Sequence, residues 1–299
     1  MKQWLVTWFK AARAPFLIVS ILPCLLGGIM AYERDSFDTL IFIMATIGVV
    51  MAHSASDFVD DYFDFQKGNL GNKVQQFHDS PLIDGTVSLK QVLIAIIFCL
   101  VIAFAAGSIV FIKVGYPVLI LVGIGLIAVF FYTSPPLKLN YRGLGETVLF
   151  LAFGPMIVFG IWYVLTGKVA AEPFLVSLVP GIFTMNVGIV SNTFDYHDDI
   201  RSGKRTLSVR FGQSTALRIM LVDTTIVYLA LVAGVIFQAI PIWSLLVLLT
   251  IPLAVNMLQH AAKYDDESHY TPAMGRIITL SSAATIILIL AYALEAWVK

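Results

Sequence analysis

The sequence predicts an all-α integral membrane protein, a bundle of nine transmembrane helices forming one domain over residues 1–299. Three observations predict it. The chain is 59% hydrophobic and only 13% charged, where soluble domains carry about one quarter charged residues. Its apolar residues gather into nine runs, each near the roughly 20 residues needed to cross about 30 Å of hydrocarbon. Its basic residues are also unevenly shared between the segments joining those runs, as a membrane topology requires.

In chain order the runs are 15–33, 39–57, 91–112, 116–133, 146–166, 173–194, 215–237, 240–261 and 274–297. The first is too long for a cleavable signal and is expected to remain as a span. With a cytoplasmic N-terminus, only Arg34, Lys113, Lys168 and Lys299 of the 19 Lys and Arg residues fall on the far side. That partition predicts a multi-pass protein of the cell membrane, N-terminus inside and C-terminus outside. Pro23, Pro155, Pro180 and Pro252 interrupt four runs. Each removes a backbone donor, and bending around a central pocket or irregular packing would both accommodate it. Cys24 and Cys99 sit inside apolar runs and read as small core residues.

The second run ends in Ser56-Asp57-Phe58-Val59-Asp60-Asp61-Tyr62-Phe63-Asp64. On a helix, carboxylates at 57, 60, 61 and 64 share one face within about two turns. Such a face repels itself, and burying an unpaired carboxylate costs several kcal/mol, so it calls for a cation. Oxygen-only ligands favour a hard divalent ion, and Mg²⁺ commonly uses one or two carboxylates together with substrate phosphates. A solvated acidic helix end is the plainer alternative. The register expected for the ligands is Asp57 with Asp61, with the equally spaced Asp60 and Asp64 as the alternative.

The sixth run ends in Asn192-Thr193-Phe194-Asp195-Tyr196-His197-Asp198-Asp199, with Asn192, Asp195 and Asp199 again on one face. The topology puts both acidic clusters at the cytoplasmic side, where they can meet across a bundle. Ionisable residues at such depth are functional by default. Basic residues accompany them: Lys67 after the first, Lys204 and Arg210 after the second, and Lys138 with Arg142 in the loop between the fourth and fifth runs. Carboxylates joined by Lys and Arg suggest a phosphorylated anion held partly through metal, although the positive-inside bias alone accounts for part of this basic set.

These residues resemble the UbiA-type family of intramembrane aromatic prenyltransferases, which carries one aspartate motif after its second helix and another after its sixth. The resemblance covers most of the chain. Asp61-Tyr62-Phe63-Asp64, Tyr141-Arg142-Gly143-Leu144-Gly145-Glu146 with Phe153-Gly154-Pro155, and the run Gly203 to Gly212 are similar to the 1,4-dihydroxy-2-naphthoate branch that serves menaquinone synthesis. The chain departs from the family in three places: Ser56 or Asp57 stands for the first motif's asparagine, Phe194 for an arginine, and Ser80 for a basic residue.

The resemblance implies a polyprenyl diphosphate donor, an aromatic acceptor, the lipid bilayer as surroundings and no nucleic-acid partner. It also implies a central cavity open to the cytoplasmic side and laterally to lipid, so that prenyl tails of varied length can lie between helices. Mg²⁺ would then be held by Asp57, Asp60, Asp61, Asp64, Asp195 and Asp199. Lys67, Lys138, Arg142, Asn192, Lys204 and Arg210 would bind substrate, and Tyr132 would face an allylic cation. The expected acceptor is 1,4-dihydroxy-2-naphthoate, with 4-hydroxybenzoate or a lipid precursor as alternatives. Two other classes compete. A cation transporter would place its acids at the midplane, and a phospholipid head-group transferase would carry an aspartate-glycine signature that this chain lacks.

Overall fold

The computed structural model describes residues 2–66 and 81–299, and every regular element among them is helical. Lys67 lies outside the described residues. A short helix α1 (Lys2–Ala11) leads through a tight turn into α2 (Ile18–Glu33). There follow α3 (Thr39–Gln66), α4 (Leu89–Val114), α5 (Pro117–Phe131), α6 (Gly145–Thr166) and α7 (Ala171–Phe194). Two short helices, α8 (Tyr196–Ser202) and α9 (Leu207–Phe211), precede α10 (Gln213–Ile236), α11 (Ile242–Ala261) and α12 (Tyr270–Val298).

All nine apolar runs are therefore helical. Among the described residues, eight helical rods are long and apolar enough to cross a membrane, whereas α5 is 15 residues long. The second run is longer than its apolar part suggests. Helix α3 continues unbroken through Asp57, Asp60, Asp61 and Asp64 to Gln66, so the first acidic cluster lies within a helix.

Local chemistry explains several boundaries. Helix α4 starts at a reciprocal cap: the Ser88 hydroxyl accepts from the Gln91 amide nitrogen, and the Gln91 side chain accepts from Ser88 N. In α6 the missing N–H of Pro155 falls in a wider, π-type turn at Ala152–Met156 that absorbs it. Helix α11 begins with 3₁₀ turns over Ile242–Thr250 and becomes α-helical at Ile251, which puts Pro252 in a first turn where no N–H is needed.

The largest apolar core joins α7, α10, α11 and α12 with α2 and the middle of α6, around Phe183, Met220, Met257 and Leu280. A second, smaller core joins α3 and α4 with Val129 of α5 and Ala11 of α1. Cys24 and Cys99 are both free and buried. Helices α6 and α7 touch backbone to backbone. A Cβ built on Gly154 would stand 2.7 Å from Gly181 Cα and 2.7 Å from the Ser177 carbonyl oxygen. Small residues at such crossings allow the close packing that holds membrane helices together.

The rods present two polar ends. At one, Arg34 bonds Glu172 at 2.9 Å, Tyr292 donates to Glu172 at 2.8 Å and Lys113 meets Asp38 at 3.4 Å. The acidic clusters lie at the other. Overpacking a tight contact costs about 1–3 kcal/mol, so Gly154→Val is expected to lower the thermal unfolding midpoint in detergent. Gly275→Ala, where a Cβ meets open space, is expected to leave the midpoint unchanged or raise it.

Candidate functional site

The last turns of α3 divide its carboxylates between two directions. Asp57, Asp60 and Asp64, spaced i, i+3, i+7, face a cavity of about 930 Å³ between the helices. Asp61 is not on that wall: it is buried and forms an ion pair with Arg13, whose backbone adopts a left-handed conformation between α1 and α2. Asp57 Oδ2 is buried and accepts no hydrogen bond from the described residues, with His53 Nε2 3.6 Å away. His53 is itself oriented by Ser20, at 3.0 Å from its Nδ1, and by the Phe153 ring.

A second segment reaches the same place from the end of α7. Helix α8 stops at Gly203, whose φ of 77° suits glycine best, and the chain doubles back so that Lys204 N donates to the Asp199 carbonyl at 2.9 Å. This turns the Lys204 side chain inward. Its Nζ lies 3.0 Å from Asp64 Oδ2 and 4.0 Å from Asp199 Oδ1, with only 5% of the residue exposed. Burial alone would lower its pKa, but the fields of Asp64, Asp60 and Asp199 outweigh burial and the net shift is upward. Lys204 is thus held charged.

The loop after α5 supplies a third side. Thr133 donates to Asp60, and the Tyr141 hydroxyl donates to Asp64 Oδ1 at 2.9 Å. Burial and the Asp64 charge raise the Tyr141 pKa, keeping the phenol a donor. Glu146, in the first turn of α6, is almost fully buried. It accepts from Asn192 Nδ2 and from Leu207 N, both at 2.9 Å, and so ties α6 to the end of α7 and to α9.

Of the residues expected from the sequence, Asp57, Asp60, Asp64, Tyr132, Asn192, Asp195 and Lys204 all line the one cavity. Asp199 lies behind Lys204, buried, and accepts from Thr206 at 3.4 Å. Lys138, Arg142 and Arg210 are off the wall. Arg142 donates to the Pro136 carbonyl at 3.1 Å, and Arg210 lies over the Phe211 ring. Sequence reasoning gave no site role to Arg13, His53, Asn140 or Tyr270, which also line the cavity. A glutamate opening an apolar run and an asparagine in the loop before it were the available signals for Glu146 and Asn140.

Away from this polar end the cavity is apolar, with Val49, Phe104, Leu121, Leu126 and Met156 among its lining. The wall acids present oxygen atoms only, in excess over the two wall cations Arg13 and Lys204, and Asp57 keeps one buried oxygen unbonded. That donor set fits a hard divalent cation. Among the described residues no three acidic, histidine or cysteine groups converge into a ready-made metal cage. The arrangement therefore suits an ion that completes its shell with water and substrate oxygens, as Mg²⁺ does.

The sequence profile of the UbiA prenyltransferase family matches residues 20–283. Among curated proteins, a 1,4-dihydroxy-2-naphthoate octaprenyltransferase of Escherichia coli is 26% identical over 303 residues, covering 97% of this chain and 96% of its own. A 2-carboxy-1,4-naphthoquinone phytyltransferase of Synechocystis is 26% identical over 266 residues, covering 87% and 84%. Among solved structures, the apo UbiA homologue from Aeropyrum pernix K1 superposes with a TM-score of 0.72 at 17% identity, covering 94% of this chain and 98% of that one. A UbiA homologue from Archaeoglobus fulgidus bound to DMAPP and Mg²⁺ gives 0.65 at 16% identity, covering 95% and 99%. The fold is shared with both.

Removing one member of a buried ion cluster costs about 3–5 kcal/mol, because its partners stay buried and uncompensated. Lys204→Ala is expected to destabilise the protein by that order in denaturant or thermal unfolding. Lys204→Ala together with Asp64→Asn should recover part of the loss.

Proposed function

This chain belongs to the UbiA prenyltransferase family, and on that premise we propose that it transfers a prenyl group from a polyprenyl diphosphate to 1,4-dihydroxy-2-naphthoate in quinone biosynthesis. The observation that carries this reading is the meeting of both acidic motifs at the polar end of one apolar cavity. A diphosphate head and an isoprenoid tail need those two environments side by side. The curated naphthoate relatives and the Tyr141 to Glu146 and Gly203 to Gly212 stretches favour the naphthoate acceptor.

In this reading Asp57, Asp60, Asp64, Asn192 and Asp195 would hold Mg²⁺ together with the donor's diphosphate. Bound there, Mg²⁺ would offset the charge that gathers on the departing diphosphate. Arg13 and Lys204 share that load from the protein side as charge-assisted donors. Lys204 and the Glu146 carboxylate fix the ends of α3, α7 and α9, so that the two acidic faces are already oriented when substrate arrives. The allylic C–O bond breaks with its electron pair leaving on diphosphate, and the ring carbon bearing the carboxylate bonds to the allylic carbon. The carboxylate then leaves as CO₂, its electron pair restoring the aromatic ring. Tyr132 presents a ring to the allylic cation, an attraction of about 0.5–2 kcal/mol. Burial between helices keeps water from quenching that cation.

The prenyl tail lies along the apolar length of the cavity. Phe104, Leu119 and Leu126 line the cavity and are also exposed, which supports a lateral opening to lipid between α4 and α5. Residues 1–299 act as one domain, with the N-terminus and the site cytoplasmic. Helix α5 connects the turn at Gly115 to Thr133, which bonds Asp60 at the acidic end, and this supports a ninth crossing and an external C-terminus.

Carboxyl-labelled 1,4-dihydroxy-2-naphthoate with geranyl diphosphate and Mg²⁺ should release labelled CO₂ in step with diphosphate. Product that keeps the label, or preference for 4-hydroxybenzoate, would contradict the naphthoate assignment. For topology, Cys24 and Cys99 are replaced by Ala and single cysteines are introduced in intact cells. Gly167→Cys should react with an impermeant maleimide from outside and Gly203→Cys should not; the reverse pattern would invert the orientation.

A further inference from the structure

A second buried acid lies far from the aspartate motifs. Asp223 sits 10 residues into α10, about 15 Å from its Gln213 end, and Asn186 of α7 is about 12 Å from the Phe194 end, so both lie well inside the bilayer. Asn186 is fully buried and Asp223 is 8% exposed. The Asn186 amide donates one hydrogen to Asp223 Oδ1 at 3.0 Å and the other to Thr224 Oγ1 at 3.1 Å. Two acceptors remain, Asp223 Oδ2 and Asn186 Oδ1, both buried and without a hydrogen-bond partner among the described residues.

Among the described residues, no cation is supplied to this carboxyl by the elements packed on α10. Glu172 of α7 is at the opposite end, bound to Arg34 and Tyr292, and Asp195 ends α7 on the main cavity wall. Arg210 of α9 lies over Phe211, and His260 of α11 is bonded to the Asn256 carbonyl. Arg218 is the other charged residue of α10. Among the described residues the hydrogen-bond partners of the Asp223 side chain are Asn186 and Thr224. An ionised, unpaired carboxylate in hydrocarbon costs so much that such a group takes up a proton instead.

We propose that Asp223 is a neutral, protonated acid that forms a two-bonded acid–amide pair with Asn186, and that this pair is a positioning device for the prenyl-transfer site. One proton on Asp223 Oδ2, donated to Asn186 Oδ1, satisfies both orphaned acceptors at once, while Asn186 Nδ2 donates back to Asp223 Oδ1. The pair fixes the rotation of α7 against α10. Each residue of slip turns a helix by about 100°, enough to carry Asn192 off Glu146 and Asp195 off the cavity wall.

The test uses the full chain in lipid nanodiscs. Infrared difference spectra of wild type against Asp223→Asn should contain a protonated-carboxyl stretch that persists from about pH 5 to about pH 9, across which an ordinary carboxyl is ionised. Asp223→Ala should lower both the unfolding midpoint and kcat. Asp223→Asn should restore both, because the introduced amide can make the same two bonds. A carboxylate stretch at neutral pH, a spectrum that changes on adding sodium, or an Asp223→Asn variant as impaired as Asp223→Ala would each overturn the proposal.

Discussion

Lys204 is the group on which the arrangement of the acidic end depends. Placed 3.0 Å from Asp64 and 4.0 Å from Asp199, it joins the carboxylates of α3 to those following α7. Without it, two buried carboxylates on different helices would repel across a medium of low dielectric. Its position is set by backbone geometry: Gly203 ends α8 in a left-handed turn, and the Lys204 amide closes on Asp199. Everything else at that end is a second tie of the same kind. Arg13 holds Asp61, Thr133 holds Asp60, Tyr141 holds Asp64 and Glu146 holds Asn192.

The bilayer gives these ties their weight. Lipid cannot satisfy a charge, so a polar group between helices and away from the cavity must find a partner within the protein. The groups left with spare acceptors then become informative. Asp57, with one buried oxygen unpaired among the described residues, lines the cavity where a bound cation would lie, whereas Asp223 Oδ2 is buried beside Asn186. The same orphaned carboxylate oxygen therefore points to a ligand in one setting and to a proton in the other.

Much of this was legible in the residues. The nine apolar runs all became helices, and the i, i+3, i+7 spacing at 57, 60 and 64 marked the face that lines the cavity. Which of the adjacent Asp60 and Asp61 faces inward was not legible, because Arg13, 48 residues earlier, draws Asp61 away. In the sequence Arg13 counted only as one more cytoplasmic charge. The inward turn of Lys204 was hidden for a similar reason: a run of basic residues gives no sign that one is buried while Arg205 and Arg210 are exposed. Helix lengths are written in local composition, but the pairing of charges depends on contacts between distant segments.

The central claim is that the two acidic motifs form one diphosphate site, and a double-mutant cycle on substrate binding tests it most directly. Binding of geranyl diphosphate with Mg²⁺ is measured for wild type, Asp57→Asn, Asp195→Asn and the double variant. Groups that share one ligand couple by about 0.5–3 kcal/mol, so the double variant should bind little worse than either single one. Fully additive losses, or binding untouched by either substitution, would mean that the motifs do not act on one diphosphate.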